Sequence, residues 1–237
     1  MYYSPLDNEV YFDYQQGRGR AGPNDFLADY QGALQSDGYA VYDRFDLETG
    51  ITLLGCLAHA RRKFYDARDN DRKRSQWMLA SIQHLYEIES LAREKGLTYS
   101  DRFSLRQEKA LPILMEMESW LAQEILTVTP KSTIGKAIQY MTNRWPYLKR
   151  YVEDGRYEID NNLVENAIRP VALGRKNYLF SGSHNGANRS ALFYTLVSNA
   201  KLQGLEPFAY LRDVLEIIAD YPVNKISNLL PVNFKNL

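Results

Sequence analysis

The sequence predicts an α/β fold that carries a large all-helical insertion and ends in helices. Three observations predict it. The first 56 residues alternate short β-branched or aromatic runs with turn-rich segments that suit short helices. From residue 71 to about 155 the apolar residues step by three and four, the period of amphipathic helices. After that the chain returns to short segments, one holding an isolated acid followed by cations.

Val10–Tyr14 (VYFDY) lies between Pro5 and the Gly17–Gly22 cluster and reads as a strand. Gly17–Gly22 (GRGRAG) reads as a turn or flexible loop, and Pro23-Asn24-Asp25 can open a short helix with Phe26, Leu27 and Tyr30 on its apolar side. Ala33–Asp37 reads as a strand that stops at Asp37-Gly38. Tyr39–Phe45 reads as a helical turn, and Ile51–Cys56 as a buried strand. Ala58–Arg68 follows as a helix that is basic on one side.

Three amphipathic helices are then marked by Met78, Ile82, Leu85, Ile88 and Ala92, by Ala110, Leu114, Met117 and Leu121, and by Ile134, Ile138, Met141, Trp145, Leu148 and Val152. Pro146 should kink or split the last, because it lacks an amide donor and crowds the preceding turn. Asp160 suits the N-cap of a short helix holding Glu165, which Pro170 should stop near Arg169. Ser181–Asn188 has loop composition. Asn188–Gln203 and Pro207–Ala219 are helices, the second with Phe208, Leu211, Leu215 and Ile218 on one face. The expected division is a core of 1–70 and 156–237 interrupted by a helical subdomain of 71–155.

The chain has 237 residues, is 45% hydrophobic and has a formal net charge of zero, so any polyanion binding must rest on local asymmetry. That asymmetry exists. Between Asn166 and Leu205 there is no Asp or Glu, while Arg169, Arg175, Lys176 and Arg189 lie there, directly after Glu165. One cysteine excludes an internal disulfide and fits a reducing cytoplasm. No apolar run is long enough for a membrane span, and the N-terminus lacks the pattern of a signal peptide.

Asp37 ends a strand, where α/β sheets place ligands, but Asp-Gly is also a common turn pair. Glu165 and Arg169 are spaced i, i+4, so a solvated surface pair is the plain alternative to a metal-binding role. Asp13 falls within an expected strand, where it suits the solvent face of an edge. Cys56-x-x-His59 resembles half a zinc site. With one cysteine and only His84 and His184 besides, the remaining ligands are missing. His59 reads better as the start of a basic helix with Arg61, Arg62 and Lys63, or as part of a solvated face balanced by nearby Asp residues. The Gly-rich run GRGRAG has the wrong spacing for a dinucleotide loop, and no Walker-type loop or nucleophile elbow occurs.

Four stretches together carry a resemblance: GALQSDGYAVY (32–42), GCLAHARRKFYDA (55–67), DGRYEIDNNLVENAIRPVALGRKNYLFSGSHNGANRSA (154–191) and LLPVNF (229–234). In order and approximate spacing the chain resembles the transposases of the insertion-sequence-66 family. The resemblance implies a DDE-type enzyme with an RNase H-like core, incomplete at its N-terminus. It makes Asp37 the second catalytic carboxylate and Glu165 the third, both ligands in a two-metal Mg²⁺ (or Mn²⁺) site. It places His59, Arg61, Arg62, Lys63, Arg169, Arg175, Lys176 and Arg189 against double-stranded DNA, at transposon ends and target. It also implies a homo-oligomer on DNA, in the cytoplasm. The family's first catalytic Asp is expected upstream of Val10–Tyr14, so this chain is expected to hold two of three carboxylates and to be severely impaired in catalysis by itself. A non-catalytic DNA-binding or assembly fragment is the alternative.

Overall fold

In the computed structural model, residues 1–47 and 50–234 are described. In chain order the strands and helices are β1 (Tyr2–Ser4), β2 (Glu9–Tyr11), α1 (Ala21–Phe26), β3 (Gly32–Gln35), β4 (Ile51–Leu54), α2 (Leu57–Asp66), α3 (Arg72–Glu94), α4 (Tyr99–Leu105), α5 (Leu111–Glu124), α6 (Thr133–Leu148), α7 (Asn162–Ala167), α8 (Arg169–Tyr178), α9 (His184–Leu202), α10 (Pro207–Ile217) and α11 (Pro231–Phe234). The chain is thus mixed α/β and mostly helical, with a few short strands. It divides into two compact units: residues 19–161, and residues 1–18 with 162–237.

In the unit of residues 19–161, β3 and β4 pair in parallel, Gly32 opposite Ile51 and Gln35 opposite Leu54. The expected strands Ala33–Asp37 and Ile51–Cys56 therefore exist, each shorter at its carboxyl end. The helical turn expected over Tyr39–Phe45 forms later, as a 3₁₀ turn at Asp43–Leu47. The helices form where they have caps and an apolar face. Asp71 accepts the Arg74 amide at the start of α3, Thr98 the Asp101 amide at α4, and Ser132 the Gly135 amide at α6. The stepped apolar residues of α3, α5 and α6 are buried together with Phe64 of α2. Each large side chain so buried contributes on the order of 1.5–3 kcal/mol.

Because α2 packs on α3 and α6, residues 19–70 belong with the helices in one compact unit. Physical packing therefore cuts the chain at other points than the division into 1–70 with 156–237 and 71–155. Pro146 does not split α6. The helix runs to Leu148 and only then tightens into a 3₁₀ segment, Lys149–Glu153. Between α4 and α5 a π-helical turn spans Arg106–Ala110, a widened geometry absent from the sequence expectations.

In the other unit, β1 and β2 form an antiparallel hairpin whose turn holds Asn8 at φ 53°. The paired strand stops at Tyr11, short of the expected Tyr14. Beyond it the Phe12 amide donates to the Thr195 hydroxyl (3.0 Å) and so is satisfied by α9 rather than by a neighbouring strand. Two residues before Phe12, Asn199 of α9 treats fully buried Val10 as a strand partner would. The Val10 amide donates to Asn199 Oδ1, and Asn199 Nδ2 donates to the Val10 carbonyl, both at 2.8 Å.

The loop expected at Ser181–Asn188 is half helix. Ser183 accepts the Gly186 amide at 3.0 Å and starts α9 at His184. Gly186 is needed there, since a Cβ would stand 2.3 Å from the Ser181 carbonyl oxygen. Pro170 ends one helix and opens the next: α7 stops at Ala167, and Pro170 sits in the first turn of α8. α7 begins at Asn162, which leaves Asn161 rather than Asp160 at the flanking position. Asp160 instead accepts the Tyr86 hydroxyl at 2.7 Å; burial first, and this hydrogen bond second, push the Tyr86 phenol well above its ordinary range. On α10 the apolar face is open to solvent: Phe208 is 74% and Leu215 70% exposed.

Candidate functional site

Asp37 follows β3 at its carboxyl end, and its carboxylate is exposed. The residue is also a turn residue. Its Oδ1 accepts the Tyr39 amide at 3.0 Å, and Gly38 adopts φ 87°, a conformation that favours glycine. The turn and ligand readings of Asp37 are therefore compatible. The hydrogen bond fixes one oxygen and aims the carboxylate outward.

Two residues of α6 that sequence reasoning left out steady this turn. Tyr140 donates to the Asp37 carbonyl at 3.2 Å. Arg144 donates to the Gly38 carbonyl at 2.8 Å while paired with Asp43. Lys63 of α2 lies 5.6 Å from the centre of the Tyr140 ring, a cation–π contact. Asp37 thus stands close to a basic neighbourhood. In sequence Tyr140 and Arg144 look like the solvated side of an amphipathic helix, with no feature to tie them to a strand end 100 residues earlier.

On α2, Arg61, Arg62 and Lys63 are exposed, and His59 is half-buried. His59 Nδ1 lies 3.2 Å from Cys56 Sγ. Cys56 itself is buried, and burial pushes its thiol up to about 11, so it is a protonated packing residue at neutral pH.

Behind Asp37, the strand end is tied to a buried ionic network. Gln35 Nε2 donates to the carbonyls of Gly55 (2.9 Å) and Glu158 (2.8 Å). The Glu158 carboxylate receives Arg102, and Arg102 also reaches Glu89. Glu89 receives Arg106 in a two-point contact at 2.8 and 2.9 Å. Arg106 is wholly buried, and its remaining donor capacity goes to the carbonyls of Tyr151, Asp154 and Tyr157 at 2.7–2.8 Å. Burial alone would raise the Glu89 carboxyl. The two guanidinium groups outweigh it and hold the group below its ordinary range. The network fixes the segment from Tyr151 to Glu158 that leads into Asp160.

Glu165 lies on α7 in the other unit and is exposed. Arg169, Arg175, Lys176 and Arg189 are exposed as well, with Arg175 and Lys176 in the last turn of α8, where cations also suit the helix dipole. Neither unit by itself holds both Asp37 and Glu165. Among the described residues no three His, Cys, Asp or Glu side chains are grouped as metal ligands. Asp37 and Glu165 are both exposed residues with carboxylate side chains, the donor type that Mg²⁺ or Mn²⁺ takes. Asp13 accepts Gln15 Nε2 at 2.7 Å and lies beyond the end of β2.

An outward carboxylate at the end of a parallel strand, beside exposed cations, is a layout suited to a protein that handles a polyanion. Comparison with known proteins narrows the class. The model described as "Transposase IS66 family" matches residues 2–189, and that of the "IS66 C-terminal element" matches residues 195–232. The chain belongs to the IS66 transposase family. It is similar to two uncharacterized proteins of Sinorhizobium fredii: y4hP, 36% identical over 95% of this chain and 44% of the relative, and y4qI, 38% identical over 95% and 43%. The chain spans less than half the length of these curated relatives. No solved structure matches it significantly. Among the described residues no helix is long and apolar enough to cross a membrane.

Proposed function

We propose that this chain is a catalytic portion of a DDE-type transposase, acting on double-stranded DNA at transposon ends. The observation that carries the reading is Asp37, held outward by its own turn at the end of β3, in a chain whose family match spans residues 2–189. Asp37 and Glu165 would hold the divalent metal, which when bound supplies Lewis acidity at the scissile phosphodiester. Arg61, Arg62 and Lys63 with His59, and Arg169, Arg175, Lys176 and Arg189, would grip phosphates and fix the DNA's position. The RNase H-like core of 1–70 and 156–237, with 71–155 inserted, belongs to this proposal, as does assembly into a homo-oligomer on DNA. The test is a Mg²⁺- or Mn²⁺-dependent nicking and strand-transfer assay on transposon-end DNA. Cleavage that survives both Asp37→Ala and Glu165→Ala would sink the site assignment.

A second reading is a non-catalytic DNA-binding or assembly module. It is favoured by the exposed cations that stand in both units. It predicts salt-dependent DNA binding whose slope of log affinity against log salt shrinks by roughly one for each of Arg175→Ala and Lys176→Ala. Asp37→Ala would leave that binding unchanged. An absence of DNA binding at low salt would count against both readings.

A further inference from the structure

One segment combines strain, exposed apolar surface and unopposed positive charge. α8 ends at Tyr178, and the next residue, Leu179, adopts φ 63° and ψ −48°. The Phe180 amide donates to the Tyr178 carbonyl at 2.7 Å. This is a γ-turn of the rare positive-φ kind, strained for any residue with a Cβ. The turn buries neither side chain: Leu179 is 72% and Phe180 76% exposed. The turn is anchored beneath. The Leu179 amide donates to the Arg175 carbonyl, and the Tyr178 and Tyr194 hydroxyls are hydrogen-bonded at 3.1 Å. Gly174 lets the two tyrosines meet, because a Cβ there would stand 2.5 Å from the Tyr194 hydroxyl.

The surroundings choose the partner. Arg175 and Lys176 lie within one turn of the apolar pair, and no acid occurs between Asn166 and Leu205. A second exposed apolar face, on α10, is interleaved with Glu206, Asp213 and Glu216, which would repel a polyanion. An apolar tip backed by cations matches a nucleic acid with an unpaired base: phosphates meet the cations, and the base stacks on the ring. Resting on the DNA-binding reading above, we propose that Leu179 and Phe180 form a preset wedge that stacks against an unpaired or unstacked DNA base.

The test uses the full chain and fluorescence anisotropy with three probes: a single strand, the matched duplex, and the same duplex with one unpaired base. Phe180→Ala should weaken binding to the first and third probes roughly 5- to 150-fold, the range of base–aromatic stacking. It should change the matched duplex less than about two-fold, since phosphate contacts remain, and Phe180→Trp should restore binding. Leu179→Gly relieves the strained φ while removing the side chain. It should raise the thermal midpoint of the fold and lower affinity for the same two probes, a pairing that a merely structural residue would not show. If wild type binds DNA and Phe180→Ala binds all three probes equally well, the wedge is refuted and the DNA reading stands. If wild type binds no probe at low salt, the DNA reading fails first and takes the wedge with it. If Phe180→Ala instead dissociates an oligomer in sedimentation, the patch is a protein interface and the proposal falls.

Discussion

Arg106→Met should be among the most damaging single substitutions in the residue 19–161 unit. The side chain is 0% exposed and has five hydrogen bonds: two to Glu89, and one each to the carbonyls of Tyr151, Asp154 and Tyr157. Removing one partner of a buried ion pair costs about 3–5 kcal/mol. The three orphaned carbonyls push toward the upper end, at about 1 kcal/mol or more apiece where water cannot reach. Arg102 remains on Glu89 and limits the loss. The three tryptophans, Trp77, Trp120 and Trp145, all lie in this unit, so tryptophan fluorescence reports its unfolding selectively. With a urea dependence of about 2 kcal/mol per molar, the midpoint should fall by about 2 M. Removing the second charge as well, in Arg106→Met/Glu89→Met, should recover part of the loss. The network's acid limb follows from Glu89. Its folded-state value is depressed, so its contribution is present above the ordinary value of 4.5 and is lost as pH falls through the folded value below it. A midpoint shift under about 0.5 M for Arg106→Met would show that the buried network does not hold the unit together.

Other consequences are equally open to measurement. Cys56, buried and with its thiol pushed up to about 11, should react with a disulfide reagent at pH 8 at least roughly 100-fold more slowly in the native protein than in urea; comparable rates would contradict its placement. Gly38→Ala places a Cβ 3.1 Å from the Tyr140 hydroxyl at φ 87°, and should cost about 1–2 kcal/mol in the same urea titration; a neutral effect would mean the Asp37 turn is not held as described. Asn199→Ala strips both backbone partners from buried Val10, so amide exchange at Val10 should accelerate roughly 30- to 1,000-fold. Exchange as slow as in wild type would refute the clamp.

What the sequence disclosed follows from what repeats. The apolar stepping of α3, α5 and α6 marks residues that are all buried, because one face of a helix must find a core. The strand ends at Asp37 and Cys56 were legible within a few residues because Asp-Gly and the Cys56–Leu57 helix start punctuate them. The start of α9 was not, because Ser183 and Gly186 cap a helix with residues that composition assigns to a loop. Nor was the Glu89–Arg106 pair, since two charges 17 residues apart on apolar helices carry no periodic signature. For the candidate site, Asp37 and the basic helix α2 could be named from the chain. Tyr140 and Arg144 could not, because only folding brings α6 to the end of β3. The compact unit of residues 19–161 is hard to read from the chain for a related reason: α2 reads as the end of an α/β stretch but packs against α3 and α6.

The Asn199 clamp on Val10 also sets a timetable. The two residues are 189 positions apart, and α9, on which β2 rests, is made only after all of residues 19–161. At roughly 5–20 residues per second of synthesis, the first strands wait about 10–40 s for their partner. Meanwhile all of residues 19–161 emerges between them and can fold first. The hairpin is therefore without its α9 partner while residues 19–161 are made. A nascent chain stalled before Asn199 should keep its early segment open to protease while its tryptophans already report a folded helical unit.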